Sequence, residues 1–266
     1  MPYTTILVAH SEGVATLTLN RPDKRNAFNN EMFLELRDAL LALEADSSVR
    51  VVILTGAGQS FSSGGDLEQF KAAAEASQRA GHFIPPVDLD TLERLPLAMR
   101  AMTKPTIAAI NGAAVGLGFS VPLACDIRIA SEKAQLGAVF LRVGLNPEFG
   151  SSYLLPRLVG IAKALELALT ARIVGAQEAL SIGLVNQVVP ADQLMPTALA
   201  MARAIAAMPP LAAQWCKRNL YDSLDGDMAA ATHREILTNR ICWQSQDYLE
   251  GVNAFLEKRT PRFQGR

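Results

Sequence analysis

Val51-Val52-Ile53-Leu54-Thr55 is an unbroken apolar run closed by Gly56, and it constrains the fold more than any other feature of the chain. A strand with one wet face alternates apolar and polar residues. One without a polar face must be covered by helices on both sides, as in parallel sheets. Thr106-Ile107-Ala108-Ala109-Ile110 repeats the pattern before Asn111-Gly112, and Ile127-Arg128-Ile129-Ala130 is a third, shorter candidate. Before the first run, Met32, Phe33, Leu36, Leu40 and Leu43 recur at helical spacing from Asn30 to near Ala45, with Asn29 or Asn30 available to cap. Buried strands alternating with amphipathic helices predict an α/β architecture.

Around this centre, Ile6 to Ala9 and Val14 to Leu19 read as a hairpin turning at Glu12-Gly13, which ends at Asn20-Arg21-Pro22. A long insertion, Leu67 to Lys104, holds an Ala-rich helix candidate and a Gly81-His82-Phe83-Ile84-Pro85-Pro86 break; such segments more often serve function than not. After Pro190 the chain reads as helical to Lys258, broken at Pro209-Pro210 and Asp225-Gly226. We therefore expect a core over 1–199 and a C-terminal helical subdomain over 200–266.

Composition excludes several classes of function. Lys plus Arg number 25 and Asp plus Glu 26 in 266 residues, so no net field draws nucleic acid or an anionic membrane, and a polyanionic ligand must be met locally. No apolar run is long enough to span a bilayer, and Met1-Pro2-Tyr3-Thr4-Thr5 lacks the layout of a signal peptide, so a cytoplasmic protein is expected. Cys125, Cys216 and Cys242 share no ligand spacing, and His10, His82 and His233 are scattered; no metal site is expected.

Two motifs imitate known sites and fail. Gly56-Ala57-Gly58-Gln59-Ser60-Phe61 follows a strand, but the third glycine of a dinucleotide fingerprint is replaced by Phe61. Gly118-Phe119-Ser120-Val121-Pro122 approaches a nucleophile elbow, but Pro122 stands where the final glycine is needed. More informative is a pair of glycine loops, Phe61-Ser62-Ser63-Gly64-Gly65-Asp66-Leu67 and Asn111-Gly112-Ala113-Ala114-Val115-Gly116-Leu117-Gly118. Each lies between a strand and a helix, where free N–H groups can face a ligand. Side by side they would form an oxyanion hole; read separately, they suit two tight turns equally well.

Leu19-Asn20-Arg21-Pro22-Asp23-Lys24-Arg25-Asn26-Ala27-Phe28 resembles the opening motif of the crotonase, or enoyl-CoA hydratase/isomerase, superfamily. The two glycine loops, the second running on to Leu123-Ala124-Cys125-Asp126, resemble that family's oxyanion loops. The likeness continues through Gly175 to Val185 and into Phe255-Leu256-Glu257-Lys258-Arg259, in the family's order. This resemblance implies a spiral of ββα units, a helical C-terminal trimerisation region and a homotrimer or hexamer. It also implies coenzyme A thioester substrates, with coenzyme A entering as part of the substrate and no separate cofactor. By motif position the oxyanion donors would be the N–H groups of Gly65 and Leu117. Lys24, Arg25, Ala27, Ser63, Asp66 and Leu67 would lie along the coenzyme A moiety, and Lys258 would reach the ligand of a neighbouring subunit.

The resemblance also bears on the reaction. The two glutamates of family hydratases fall here at Ser120 and Phe140, neither of which can act as a carboxylate acid or base. Gly144-Leu145-Asn146-Pro147-Glu148-Phe149-Gly150-Ser151-Ser152-Tyr153 instead resembles the segment of peroxisomal-type Δ3,Δ2-enoyl-CoA isomerases that carries their single acid/base, which points to Glu148. Phe140 and Phe149 would supply an apolar wall that raises its proton affinity. Pro147-Glu148 also reads as opening a helix, where a first-turn acid would complement the dipole. Double-bond isomerisation is the leading expectation. Hydration or another crotonase-type reaction is a second, and a non-catalytic acyl-CoA-binding subunit a third.

Overall fold

The computed structural model describes residues 3–266; Met1 and Pro2, on which part of the N-terminal reading rests, lie outside them. The chain opens with β1 (Ile6–Ser11) and β2 (Val14–Leu19), paired antiparallel about a turn at Glu12 and Gly13. Both turn residues have positive φ, which matches the twist of a two-residue hairpin. Helix α1 (Asn30–Ala45) follows, and its cap is Asn29, whose side chain accepts the Met32 N–H at 3.0 Å.

Three strand pairs then repeat one plan, in which a long buried strand is followed by a short strand turned into a second sheet. They are β3 (Val51–Gly56) with β4 (Ser60–Ser62), β5 (Thr106–Ile110) with β6 (Ala113–Val115), and β7 (Ile127–Ser131) with β8 (Gln135–Gly137). Helices α2 (Leu67–Ala80) and α3 (Leu89–Ala101) fill the insertion after the first pair. Helix α4 (Leu117–Leu123) follows the second, and α5 (Ser151–Val159) and α6 (Ile161–Thr170) the third. The chain continues through β9 (Val174–Gly175), α7 (Ala176–Ser181), β10 (Gln187–Val189) and α8 (Leu194–Ala206). It ends in α9 (Pro210–Ser223), α10 (Met228–Trp243) and α11 (Gln246–Glu257).

The main sheet runs β1-β2-β3-β5-β7-β10 and is parallel after the first hairpin; the second runs β4-β6-β8-β9. The apolar runs behave as their composition predicts. Val52 and Leu54 pack into the cluster that holds Met32, Phe33 and Leu36 of α1, whereas Val51 and Ile53 join Ala198 and Ala202 of α8 on the opposite face. Each face of β3 therefore buries its own half of the alternating side chains. The fold is the crotonase-like α/β spiral with a helical C-terminal region that the sequence led us to expect.

The expected division between residues 199 and 200 falls inside α8, which lies on the sheet along its length. Burial changes at Pro209-Pro210: α9 has no buried residue, and α10 only Thr238. Helix α9 is tied back to the core by Asp126. This carboxylate accepts the Thr106 N–H at 2.7 Å and the Tyr221 hydroxyl at 2.6 Å, and lies 2.9 Å from Lys217 Nζ. Two residues on, the buried guanidinium of Arg128 donates to the Cys125 and Leu184 carbonyls at 2.8 and 2.9 Å, fastening the segment that leads into β10. Among the described residues no single helix is long and apolar enough to cross a membrane.

Candidate active site

The two glycine loops meet. Gly64 has φ +98°, and a Cβ there would press within 2.9 Å of the Val115 carbonyl, with Gly116 Cα and Leu117 N at 3.6 Å. Only glycine permits both that backbone and that approach. On the other side of the junction a Cβ at Gly118 would run into the Ser62 carbonyl, so the start of α4 lies directly on β4. Gly64 is also pinned by its neighbours: its carbonyl accepts the Phe28 N–H at 2.7 Å, and the Phe28 carbonyl accepts the Asp66 N–H at 2.9 Å. This bridge skips Gly65. Leu117, the first residue of α4, is likewise left over, and among the described residues neither the Gly65 nor the Leu117 N–H has an acceptor. Two free donors on touching loops are what an oxyanion needs.

The residues that the resemblance assigns to coenzyme A gather beside the same loops. Ser63 donates its N–H to the Arg25 carbonyl at 2.9 Å and its hydroxyl to the Lys24 carbonyl at 3.3 Å. Arg21 bonds the Ala27 carbonyl at 2.6 Å and pairs with Asp66 at 2.9 Å. Burial pushes the Asp66 carboxyl up, but the Arg21 guanidinium and the Gln69 N–H outweigh it and hold the group below its usual range. Asp66 caps α2, so it supports the loop as well as bordering it, while Leu67 opens α2 and is exposed. Lys24 pairs with Glu68 at 2.8 Å on the open surface, an exchangeable contact, and the exposed Arg25 side chain has no partner among the described residues. Lys258 stands apart, exposed at the left-handed C-cap of α11.

The sequence reading missed Asn26. It is fully buried with φ +56°, accepts the Arg21 N–H at 2.9 Å, and donates to the Ala57 and Ser60 carbonyls at 2.9 and 2.8 Å. One amide thus holds the basic turn, the β3–β4 corner and the first glycine loop together. Its place in the opening motif was the available signal.

Phe149, the residue after Glu148, is linked to this junction through aromatic contacts. Phe28, bridged to Gly65, lies 5.1 Å from Phe33, which lies 6.5 Å from Phe149. The helix expected to open at Pro147-Glu148 begins instead at Ser151. Phe149 and Gly150 both take left-handed conformations, and Gly150 is the cap. Glu148 therefore sits in the loop just before α5, half-buried, and its backbone carbonyl accepts the Ser151 N–H at 3.1 Å. Its carboxylate makes no hydrogen bond among the described residues, and burial pushes its pKa up. Phe140 and Phe149 are both buried, and Ser120 is sealed in α4 with its hydroxyl unpartnered. Neither hydratase position carries an acid. Among the described residues no cluster of three or more His, Cys, Asp or Glu side chains is placed to hold a metal.

A spiral of strand pairs whose two glycine loops meet at free N–H groups defines a crotonase-type protein. The chain belongs to the enoyl-CoA hydratase/isomerase family, whose model matches residues 9–266. It is similar to the 1,2-epoxyphenylacetyl-CoA isomerase of Escherichia coli strain K12, with 36% identity covering 98% of each chain. It is also similar to the crotonyl-CoA hydratase of Syntrophomonas wolfei, with 36% identity covering 99% of each. A crystal structure of enoyl-CoA hydratase from Bacillus anthracis superposes with a TM-score of 0.92 at 34% identity, covering 99% of this chain and 100% of that one.

Proposed function

We propose that the chain is an enoyl-CoA isomerase that shifts the double bond of a 3-enoyl-CoA to the 2-position. The observation that carries this reading is the state of Glu148: a single carboxylate, short of hydration and without a hydrogen-bond partner among the described residues, next in sequence to Phe149 of the aromatic chain that reaches the glycine-loop junction. Ionised, it removes a proton from the acyl α carbon. The released pair moves into the thioester, and the oxygen of the resulting dienolate accepts the Gly65 and Leu117 N–H groups. The electrons then return to form the 2,3 double bond as the γ carbon takes the proton back from Glu148. One acid/base suffices, and each oxyanion donor contributes roughly 10²-fold to 10³-fold. Lys24, Arg25 and Ser63 border the coenzyme A moiety, and Lys258 serves the ligand of another copy in a homotrimer or hexamer. The setting is cytoplasmic, and coenzyme A enters only as part of the substrate.

Glu148→Gln keeps shape and polarity but cannot take a proton, and should lower turnover of a 3-enoyl-CoA by roughly 10²-fold to 10⁴-fold while binding survives. Ser120→Ala should matter far less. Near-parent isomerisation by Glu148→Gln would sink the one-base mechanism. The hydratase names of several relatives favour a second reading, in which Glu148 alone activates a water; turnover of 2-enoyl-CoA to a 3-hydroxyacyl product, without isomerisation, would select it. Binding without turnover of either substrate would leave a non-catalytic acyl-CoA-binding subunit.

A further inference from the structure

Beyond Phe149 lies a cavity of about 780 Å³, the size of a small-molecule site, between α3, the start of α5 and α9. Leu89, Leu92, Pro96, Leu97, Met102 and Leu154 give it an apolar wall. Its charged groups are nearly all accounted for. Lys217 pairs with Asp126 and Arg218 with Asp222, while Asp225 accepts from both Tyr153 and Arg157. Glu93 stands two turns up α3 from the remaining cation, Arg100. That cation has no hydrogen bond and no ion pair among the described residues, and steadies Asp225 only from beyond ion-pair distance. It is held in place all the same, 3.8 Å above the Tyr221 ring and 5.7 Å from that of Tyr153. An oriented guanidinium with unused N–H donors in a mostly apolar cavity is a receptor for a carboxylate.

We infer that this cavity receives the far end of the acyl group and that Arg100 selects acyl chains ending in a carboxylate. The inference rests on the enoyl-CoA reading above. With the α and γ carbons at Glu148, the rest of the chain must leave past the base, and the cavity begins at the next residue, Phe149. Apolar walls then hold the methylenes, and Arg100 pairs with the terminal carboxylate.

Calorimetry with saturated medium-chain acyl-CoA and ω-carboxyacyl-CoA of matched length tests this without requiring any turnover. The wild-type protein should bind the carboxylated ligand roughly 10-fold to 100-fold more tightly, as expected for a hydrogen bond to a charged group. Arg100→Met should remove that preference and leave methyl-ended ligands within about twofold, while Arg100→Lys should keep part of it. Equal binding of the two ligands by wild type overturns the inference whether or not a variant folds. So does an Arg100→Met that weakens both ligands alike. A medium-chain dicarboxylate lacking coenzyme A that binds as tightly as the thioester would make the cavity a separate anion site and overturn it too. If the binding preference holds but 3-enoyl-CoA is not isomerised, the isomerase reading fails and this one stands.

Discussion

An ionised Glu148 gives up hydration that no hydrogen bond among the described residues returns, and this has consequences for both rate and stability. Folding raises its pKa, so the folded protein holds this proton more tightly than the unfolded chain. The group favours the folded state below its unfolded pKa, and that contribution is lost as pH rises through the folded value. Glu148→Gln should therefore melt at or above the parent temperature at neutral pH, with the gap closing as acid protonates the parent. Calorimetric melts across acid to neutral pH measure it, and a variant that melts lower throughout would contradict the desolvated carboxylate. The acid limb of kcat/KM should fall above the usual carboxylate range for the same reason. Glu148, Gly65 and Leu117 could be proposed from the sequence because each lies within a contiguous motif. Arg100 could not: its segment shows no register, and its tyrosine partners come from distant elements.

The strands and helices were legible in proportion to their length. β3, β5, β7 and α1 carry enough residues to show an apolar run or a helical period, whereas β4, β6, β8, β9 and β10 have two or three each and are defined only by what they pair with. The start of α5 was misread because nothing local in Pro147-Glu148 reports that Phe149 and Gly150 turn left-handed. α9 was visible as a helix, but its attachment was not. That attachment converges on Asp126, 15% exposed, and Lys217, 8% exposed, so removing one charge leaves the other buried and uncompensated. Asp126→Asn should cost about 3 kcal/mol in urea unfolding. If α9 forms the cavity wall as described, the variant should also weaken ω-carboxyacyl-CoA binding more than it lowers turnover of a short 3-enoyl-CoA. A loss below 1 kcal/mol would mean that α9 is held mainly by its apolar contacts.

For the molecule as a whole, the C-terminal helices leave several large apolar side chains exposed, and such side chains gathered on one surface mark an interaction site. Ile241 and Trp243 of α10 and Phe255 and Leu256 of α11 are exposed, Phe255 by 84%. Covering them with further copies is the assembly proposed above, and sedimentation of the dilute protein should show a trimer or hexamer. Phe255→Glu combined with Leu256→Glu should shift it to monomer; a wild-type monomer would remove the assembly and the role of Lys258 with it. The order of the main sheet has a different consequence, in time. Only the β1–β2 hairpin is local and can form in roughly 1–10 μs; each later pairing must first close a crossover. As the chain is synthesised, both glycine loops exist well before Gln187–Val189 can add β10 to β7. During that interval the open edge of β7 carries Arg128, and a charge on an unpaired edge discourages a foreign strand from adding there. The residue that later fastens the approach to β10 thus stands as a charge on β7 before its carbonyl partner at Leu184 has been made.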